Sequence, residues 1–243
     1  HGQKDGALQS TSTQCLPKNV GKKNETTPYQ QACLEAESKW KKQIDKGYAE
    51  NEPVERKTTA PMLAHSYDDH AHTVTYPCYF QPKLDGVRCI AEMADDRTVT
   101  LWSRQGKIYD AVPHVNEILK DIMTPGEILD GELYCHGANL QTLISWVKKA
   151  QPESQKVQYH VYDMVSDHPF SKRLERIQHL ITKDGSVTRT VFTDKIHSAD
   201  EIPEKHGLVV EQGYEGIMLR VGKCEYRCGY RSRELLKVKA FKD

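Results

Sequence analysis

The sequence is organised around residues 79–91, YFQPKLDGVRCIA. Apolar and aromatic residues run into Lys83, Asp85 and Gly86 follow, and a second apolar run begins after Arg88. Two β-type runs bounded by turn residues predict a strand, a tight turn and a strand. Asp-Gly favours a hairpin turn because glycine tolerates positive φ and aspartate hydrogen-bonds its own backbone. Such a turn would hold Lys83 at a strand end, between Asp85 and Arg88.

The chain beyond about residue 55 consists of short β-type runs separated by turn residues, with a few helices. Strands are predicted at 98–103, 128–134, 157–165, 213–221 and 234–240, and helices at 112–122, 139–149 and 171–182. No strand–helix–strand rhythm occurs, so the pattern indicates an α+β fold and not a doubly wound sheet. Neither GxxxxGK[ST] nor GxGxxG is present. A bound nucleotide would therefore be held by side chains on strands and not by a phosphate loop.

The N-terminal part has a different composition. Residues 1–26 are rich in Gly, Ser, Thr, Asn, Gln and Lys with few apolar positions, which predicts a loosely ordered arm. A helix is predicted to begin at Thr27, where Thr27 caps, Pro28 takes the first helical position and Gln30 completes a capping box. We expect its apolar face to pack on the main domain. That face comprises Tyr29, Ala32, Cys33, Ala36, Trp40 and Ile44.

Length, charge and cysteine usage limit the possible functions. The 243 residues suffice for one full-sized domain, 56–243, and an appendage, 1–55. The 34 basic and 34 acidic side chains cancel, which argues against a general polyanion-binding protein but not against a local basic face. No run of about 18 apolar residues and no apolar signal region occurs, so we expect an intracellular protein without a membrane partner. The seven scattered cysteines favour neither a disulfide framework nor a zinc site.

Charged and aromatic side chains recur at or beside the predicted strands. Because alternate side chains of a strand point to one face, these groups can share a surface. Basic groups at both ends, carboxylates between them and an aromatic ring midway are what a nucleoside triphosphate and its metal require. Each residue alone is also consistent with a surface ion pair or a core tyrosine. In chain order they are Lys83, Arg88, Arg104, Asp130, Glu132, Tyr162, Asp163, Glu215, Lys237 and Lys239.

Together these motifs resemble those of the covalent nucleotidyltransferases, the superfamily of ATP-dependent DNA ligases, RNA ligases and mRNA capping enzymes. The resemblance covers residues 61–243 and implies an ATP-grasp-like nucleotidyltransferase domain of antiparallel sheets flanked by helices. PMLA at 61–64 and GYRS at 229–232 are most similar to DNA ligases, in which an OB-fold domain follows; we expect no such domain within this sequence. The motifs are KLDGVR at 83–88, SRQG at 103–106, LDGEL at 129–133, YHVYD at 159–163, EGIMLR at 215–220 and LLKVK at 235–239.

The resemblance implies an ATP-dependent DNA ligase catalytic domain that uses ATP and Mg²⁺. Lys83 would attack the α-phosphorus and form a lysyl-AMP, AMP would pass to the 5′-phosphate of a nick, and the 3′-hydroxyl would then seal it. The attacking lysine must be neutral, whereas an ordinary lysine with a pKa of about 10.4 is protonated at pH 7. We expect the metal and nearby cations to lower that pKa. These cations are Arg88, Lys237 and Lys239, and the two lysines would also neutralise charge on the α-phosphate.

The same resemblance assigns roles to the other residues. Glu132 and Glu215 would lie at the metal, and Glu132 could instead bind a ribose hydroxyl. Tyr162 would stack on adenine, and Gln81 would pair its amide with the edge of the base. Arg104 is the candidate for the 5′-phosphate of the nucleic acid, because a planar guanidinium suits phosphate oxygens.

The basic character of the C-terminal segment fits a duplex partner. Residues 220–243 carry eight basic and three acidic side chains, a net charge of +5. Binding of such a surface to phosphates weakens steeply as salt rises. Together with the resemblance to DNA ligases, this charge leads us to expect nicked duplex DNA as the partner. We expect the chain to act as a monomer. An RNA ligase or an mRNA-capping guanylyltransferase would use the same lysine chemistry, and a non-catalytic nucleotide or nucleic-acid binding module is a further alternative.

Overall fold

The computed structural model of the chain describes residues 11–45, 59–181 and 185–239. The chain divides into two compact units, His1–Glu55 and Arg56–Asp243. Within the described residues, none of the helices combines the length and the apolar character that crossing a membrane requires.

The first unit contains the helix α1 (Pro28–Asp45). Its predicted capping box is confirmed, because the Thr27 N–H donates to the Gln30 side chain at 2.9 Å and the Gln30 N–H donates to the Thr27 hydroxyl at 3.3 Å. Tyr29, on the predicted apolar face, is exposed, whereas Gln31 is buried. The packing of that face on the main domain stays a prediction. The predicted arm lies partly outside the described residues.

The described residues of the second unit form ten strands, and helices lie between some of these strands along the chain. The strands are β1 (Leu63–Ser66), β2 (Cys78–Lys83), β3 (Val87–Met93), β4 (Val99–Ser103), β5 (Ile128–Tyr134), β6 (Gln158–Met164), β7 (Thr188–Thr190), β8 (Asp194–Ile196), β9 (Gly216–Val221) and β10 (Arg231–Lys239). The helices are α2 (Tyr67–His70), α3 (Pro113–Ile122), α4 (Leu140–Lys148), α5 (Phe170–Leu180) and α6 (Ile202–Glu211), with 3₁₀ turns at Ala71–Thr73, Pro152–Lys156 and Ala199–Glu201. The predicted α+β class is confirmed.

The strands form two five-stranded sheets. Sheet 1 has the order β1-β10-β9-β2-β8, and sheet 2 has the order β4-β3-β5-β6-β7. The pairings are antiparallel, as expected, except for β1 with β10 and β6 with β7, which are parallel.

Residues 79–91 do not form the predicted hairpin. β2 pairs with β8 and β9 in sheet 1, whereas β3 pairs with β4 and β5 in sheet 2. Residues 84–86 therefore carry the chain from one sheet to the other. The φ angle of Gly86 is not positive, so the backbone conformation does not require glycine here. A Cβ on Gly86 would lie 2.6 Å from Glu132 Cγ and 2.7 Å from the Leu133 carbonyl oxygen, so glycine is needed for close approach of β5.

The main core lies between sheet 2 and helices α3, α4 and α5. Apolar residues at helical spacing, such as Val115 and Leu119 on α3 and Leu143 and Val147 on α4, are buried there. Asn139 caps α4 by accepting the N–H of Thr142 at 2.9 Å. A second cluster packs α6 on sheet 1. Each sheet thus has its own core, which leaves the crossover between the sheets free to carry polar groups.

Candidate functional site

A pocket of about 270 Å³ is lined by residues of both sheets and of the crossover between them. That volume lies near the lower end of ligand pockets, which span about 300 to 1,000 Å³. The structure brings together seven predicted site residues in its wall, namely Gln81, Lys83, Arg88, Arg104, Glu132, Tyr162 and Lys237. The remaining wall consists of Leu63, Ala64, Pro82, Leu84, Met218, Arg220, Arg231 and Leu235. Glu215 and Lys239 are not part of the wall but adjoin Lys83 through an ion-pair chain.

Lys83 is the last residue of β2. Its Nζ forms an ion pair with Glu215, whose other carboxylate oxygen pairs with Lys239 at 2.5 Å. The Glu215 N–H also donates to the Lys83 carbonyl at 3.1 Å. Burial would raise the pKa of Glu215, but hydrogen bonds and charge from the two lysines outweigh it and hold that pKa below its usual range. A carboxylate thus lies next to Lys83 and also pairs with Lys239, while Arg88 and Lys237 line the same pocket. The role of these cations in activating Lys83 stays a prediction.

Arg88 is balanced by a carboxylate to which the sequence assigned no role. Its guanidinium forms two hydrogen bonds with Asp130, at 2.9 and 2.5 Å, and Asp130 is fully buried. The Tyr226 hydroxyl donates to Asp130 at 2.7 Å and accepts the Met62 N–H at 3.1 Å. The guanidinium is thus held in one orientation at the pocket wall, with its charge largely neutralised.

The alternation of β5 explains why LDGEL carries two carboxylates separated by glycine. Asp130 and Glu132 point to one face of the strand, and a Cβ on Gly131 would lie 2.5 Å from the His160 carbonyl oxygen on the other. Glu132 accepts a hydrogen bond from Tyr162 at 3.3 Å. Burial raises the pKa of Glu132 to about 8, against the opposing effect of nearby Arg88 and Lys83. Glu132 is therefore largely protonated at neutral pH in this state.

Tyr162 and Gln81 share a second arginine. The guanidinium carbons of Arg88 and Arg220 lie 5.7 and 5.4 Å from the centroid of the Tyr162 ring. Gln81 donates to the Tyr162 carbonyl at 3.1 Å and to the Thr193 hydroxyl at 2.9 Å, and it accepts from Arg220 Nε at 2.7 Å. Both amide protons of Gln81 are engaged. Pairing of the amide with a base would therefore require replacement of one of these hydrogen bonds.

Behind the pocket, Asp163 connects β6 to β9 and α5. Arg173 donates to its two carboxylate oxygens at 2.7 and 3.1 Å, and Arg220 forms an ion pair with it. Arg173 also donates to the carbonyls of His168 and Cys224, at 2.6 and 2.8 Å. Sequence reasoning missed Arg220 as a wall residue. Period-two alternation along β9 could have identified it, because Met218 and Arg220 are two residues apart and both line the pocket.

Cations from both sheets lie around the pocket. Arg104, beyond the end of β4, is exposed, and Arg231 at the start of β10 donates to the Ala64 carbonyl. Lys237 pairs in register with Ser66 of β1, and within the described residues its side chain makes no ion pair. Arg231 was not assigned a role from the sequence, although it belongs to the GYRS segment.

A divalent cation would find few protein ligands here. In the part of the chain that the structure describes, no group of three or more His, Cys, Asp or Glu side chains is arranged to hold a metal. Glu132 holds a proton near neutral pH, and Glu215 is paired with two lysines. Mg²⁺ is commonly bound by one or two carboxylates together with substrate phosphates and water. The residues therefore fit this cation only together with a phosphate ligand.

Residues 61–239 match the family model described as the ATP dependent DNA ligase domain. The DNA ligase of African swine fever virus (strain Badajoz 1971 Vero-adapted) is 28% identical over 242 residues, which cover 93% of this chain and 57% of the viral protein. The DNA ligase of Halobacterium salinarum (strain ATCC 29341 / DSM 671 / R1) is 26% identical over 180 residues, which cover 65% of this chain and 32% of that protein. The chain thus spans little more than half of the viral relative.

Solved structures are similar in fold. The Chlorella virus DNA ligase-adenylate superposes with a TM-score of 0.62 at 26% identity, over 76% of this chain and 68% of that chain. The ATP-dependent DNA ligase from bacteriophage T7, solved in complex with ATP, gives a TM-score of 0.60 over 76% of this chain and 70% of that chain. At 17% identity, the second comparison concerns the fold alone.

Proposed function

Because the chain belongs to the ATP dependent DNA ligase domain family, we propose that it attaches AMP from ATP to Lys83 and passes it to the 5′-phosphate of a nick in duplex DNA, acting as a monomer. The observation that carries the proposal is the position of Lys83 in a pocket wall that also contains Arg88, Glu132 and Tyr162. The chain covers 57% of the viral relative, so the activity of a whole ligase is part of the proposal.

The first step requires Lys83 to leave its ion pair. In the free protein, Glu215 forms an ion pair with the ammonium group and so neutralises its charge. Glu215 is one of the two carboxylates that would hold a divalent cation bound together with the nucleotide phosphates, and in that role it would no longer neutralise Lys83. Without that carboxylate, the positive charge of Arg88, Lys237 and Lys239 would oppose the charge on the ammonium group, which favours loss of a proton to solvent. Loss of Glu215 as its partner would thus convert the Lys83 ammonium group into a nucleophilic amine.

The neutral amine would attack the α-phosphorus of ATP. The N–P bond forms, the bond to the pyrophosphate oxygen breaks, and the lysine nitrogen loses its second proton. Lys237 can neutralise charge that develops on the transferred phosphate, and Arg88, already balanced by Asp130, can contribute hydrogen-bond donors to it. Mg²⁺, held by Glu132, Glu215 and the phosphates, would supply further positive charge. Tyr162 can contact the adenine ring, since it is partly buried in the pocket wall.

In the second step an oxygen of the nick 5′-phosphate attacks the phosphorus of lysyl-AMP, and the P–N bond breaks, which regenerates Lys83. The 3′-hydroxyl then attacks the 5′-phosphorus, and AMP leaves. Arg104 and Arg231 reach the pocket from opposite sheets and suit a phosphate held between them. Each bond formed is matched by one broken, so no further reactant is needed.

The test is the intact mass of the purified chain. Pre-treatment with pyrophosphate removes any AMP already attached, and incubation with ATP and Mg²⁺ should then add one AMP, which peptide mapping should locate at Lys83. Nicked duplex DNA should discharge the adduct. Adduct formation with GTP alone would indicate capping chemistry, and discharge only by nicked RNA would indicate an RNA ligase. Absence of any adduct would leave a binding module.

A further inference from the structure

A small apolar cluster is connected to three of the proposed site residues. Two of its members are sequence neighbours of Lys83 and Glu215, and a third member is Tyr162 itself. The cluster is separate from the main core and is composed of segments from both sheets. We call it the Tyr134 cluster; it consists of Leu84, Tyr134, Tyr162, Val191 and Tyr214.

Tyr134, the last residue of β5, is the centre of these contacts and is 4% exposed. Its hydroxyl lies 2.8 Å from His136 Nδ1. Its ring stacks with Tyr214 at a centroid distance of 6.5 Å and meets His160 edge-on at 5.2 Å. His136 also contacts the Tyr214 ring, at 5.4 Å. Tyr214 is therefore held by two aromatic side chains that belong to sheet 2 and the residues just after it.

The cluster is tied to the ion pair through the backbone. Leu84 follows Lys83 directly, and Tyr214 precedes Glu215. The Tyr214 N–H donates to the Val209 carbonyl at 3.1 Å, and the Glu215 N–H donates to the Lys83 carbonyl at 3.1 Å. The segment of Lys83 and Leu84 and the segment of Tyr214 and Glu215 are thus joined by the apolar cluster and by the hydrogen bond from Glu215 to Lys83. Movement of the Tyr214 ring would shift the Glu215 carboxylate relative to the Lys83 amine.

We propose that Tyr134 and Tyr214 are positioning residues that hold Lys83 and Glu215 in register for the attack on the nucleotide. Neither tyrosine lines the pocket wall, so they act through Leu84 and the Glu215 backbone. The inference rests on the proposed function, because it takes Lys83 as the nucleophile. Displacement of a reacting group by about 1 Å can cost about 100-fold in rate, so the packing of two rings is enough to control the step.

The test is the single-turnover rate of AMP attachment in Tyr214→Ala, measured across ATP concentrations. Tyr214 is partly buried, so its truncation should leave the chain folded. We expect the rate at saturating ATP to fall about 10- to 100-fold. The half-saturating ATP concentration should change less than about threefold, because ATP contacts are retained. Tyr214→Phe retains the ring and should restore the rate to within about threefold of wild type.

Tyr67→Ala is the matched control. Tyr67 is also partly buried and, like Tyr214, packs on the sheet 1 core, but it does not belong to the Tyr134 cluster. Its loss should leave the rate of AMP attachment unchanged while it lowers stability by a similar amount. Tyr134→Phe supplies a second variant that retains the ring and removes only the hydroxyl next to His136; its rate should lie between those of wild type and Tyr214→Ala.

The outcomes separate the two proposals. An active wild type with Tyr214→Ala equally fast, or with Tyr67→Ala slowed to the same extent, overturns the positioning role alone. A rise in half-saturating ATP with an unchanged maximal rate does the same, because it assigns the cluster to nucleotide binding. Failure of the wild type to form an adduct with any nucleotide overturns the proposed function, and this inference with it.

Discussion

Two clusters of ion pairs in the second unit differ in burial and therefore in what their charges can do. The buried cluster has side chains that are at most 3% exposed, whereas those of the open cluster are 22 to 42% exposed. Both clusters place one carboxylate between two cations. The buried cluster consists of Asp163, Arg173 and Arg220, and the open cluster consists of Lys83, Glu215 and Lys239.

The buried cluster fixes the scaffold of the site. Both oxygens of Asp163 accept from arginines, and Nη1 of Arg173 donates to two backbone carbonyls. A buried charge that loses its partner is strongly destabilising, so these groups have no alternative arrangement of similar free energy. Arg220 extends the network to Gln81 and the ring of Tyr162. The buried cluster thus determines where one end of the pocket lies.

The open cluster can exchange partners. Partly exposed lysine–carboxylate pairs contribute about 0 to 1 kcal/mol, because water and the flexible lysine chain compete with the pair. A phosphate or a divalent cation can therefore displace one partner at little cost in stability. Charged side chains thus have two functions around this pocket: those of the buried cluster hold the fold, and those of the open cluster can change partners during a reaction.

The largest expected effect is in the open cluster, where loss of Lys83 should stop AMP attachment with little change in stability. Lys83→Ala should abolish AMP attachment, a loss of at least about 10⁴-fold, because no other amine would occupy its position. The free energy of unfolding should change by less than about 1 kcal/mol, since the ion pair is partly exposed. Intact mass and urea unfolding measure the two quantities. Lys83→Arg is the control that retains the charge and should also lack the adduct; an adduct in either variant would refute the assignment.

The next effect is the reverse, a loss of stability in the buried cluster. Asp163→Asn leaves Arg173 and Arg220 without a balancing charge, and we expect the free energy of unfolding to fall by about 3 to 5 kcal/mol. Urea unfolding followed by circular dichroism measures it. Glu175→Gln breaks an exposed ion pair with Lys172 on the same helix and should cost less than about 1 kcal/mol. An equal decrease in the free energy of unfolding in both variants would show that the buried ion pairs contribute no more to stability than an exposed one.

The sequence predicted the local features of this site well. The bounds of β5 agree with 128–134, because ILDGELY alternates with period two and is long enough for that alternation to be visible. Thr27 and Gln30 identify the start of α1 through chemistry confined to four residues. The resemblance carried by the six motifs is confirmed by the family match over residues 61–239.

Features that depend on distant partners were not predicted. Asp-Gly at residues 85–86 has hairpin chemistry, but β2 and β3 pair with strands far away in sequence, and pairing partners outweigh a local turn preference. The ion pair of Lys83 with Glu215 joins residues 132 positions apart. β1, β7 and β8 have only three or four residues, too few to show a period. α6 contains Pro203 and Gly207, which obscure its helical pattern.

Glu132 is an intermediate case between the two clusters, because it is a partly buried carboxyl in the pocket wall and lacks the two arginines that balance Asp163. Its pKa is about 8 in the folded protein, so the folded chain keeps a proton that the unfolded chain releases above about pH 4.5. Stability should therefore fall as pH rises from 5 to 8, by up to about 1.4 kcal/mol per pH unit. Glu132→Gln removes this contribution, so the stability of the variant relative to wild type should increase with pH. Urea unfolding at several pH values checks it.

The control for that series is Glu117→Gln, at an exposed position on α3. Other titrating groups affect both proteins of each pair equally and cancel in the difference. The Glu117→Gln and wild-type curves should therefore run parallel between pH 5 and 8. Parallel curves for Glu132→Gln as well would show that Glu132 is ionised in the folded protein over this pH range.

The smallest effect is expected at Arg104, a cation that belongs to neither cluster and is exposed at the pocket. Arg104→Ala should leave the rate of AMP attachment within about threefold of wild type, because the residue is assigned to the DNA phosphate and not to ATP. Transfer of AMP from preformed lysyl-AMP to nicked DNA should slow about tenfold, the loss of about 1.4 kcal/mol that one charge-assisted contact can supply. Arg97→Ala is the control, since Arg97 is exposed, donates to the Lys120 carbonyl and does not line the pocket. Rapid-quench measurement of the two steps separates them. A slowed first step with normal transfer would place Arg104 with the open cluster, as a charge that acts on the nucleotide, and would leave the phosphate contact to Arg231.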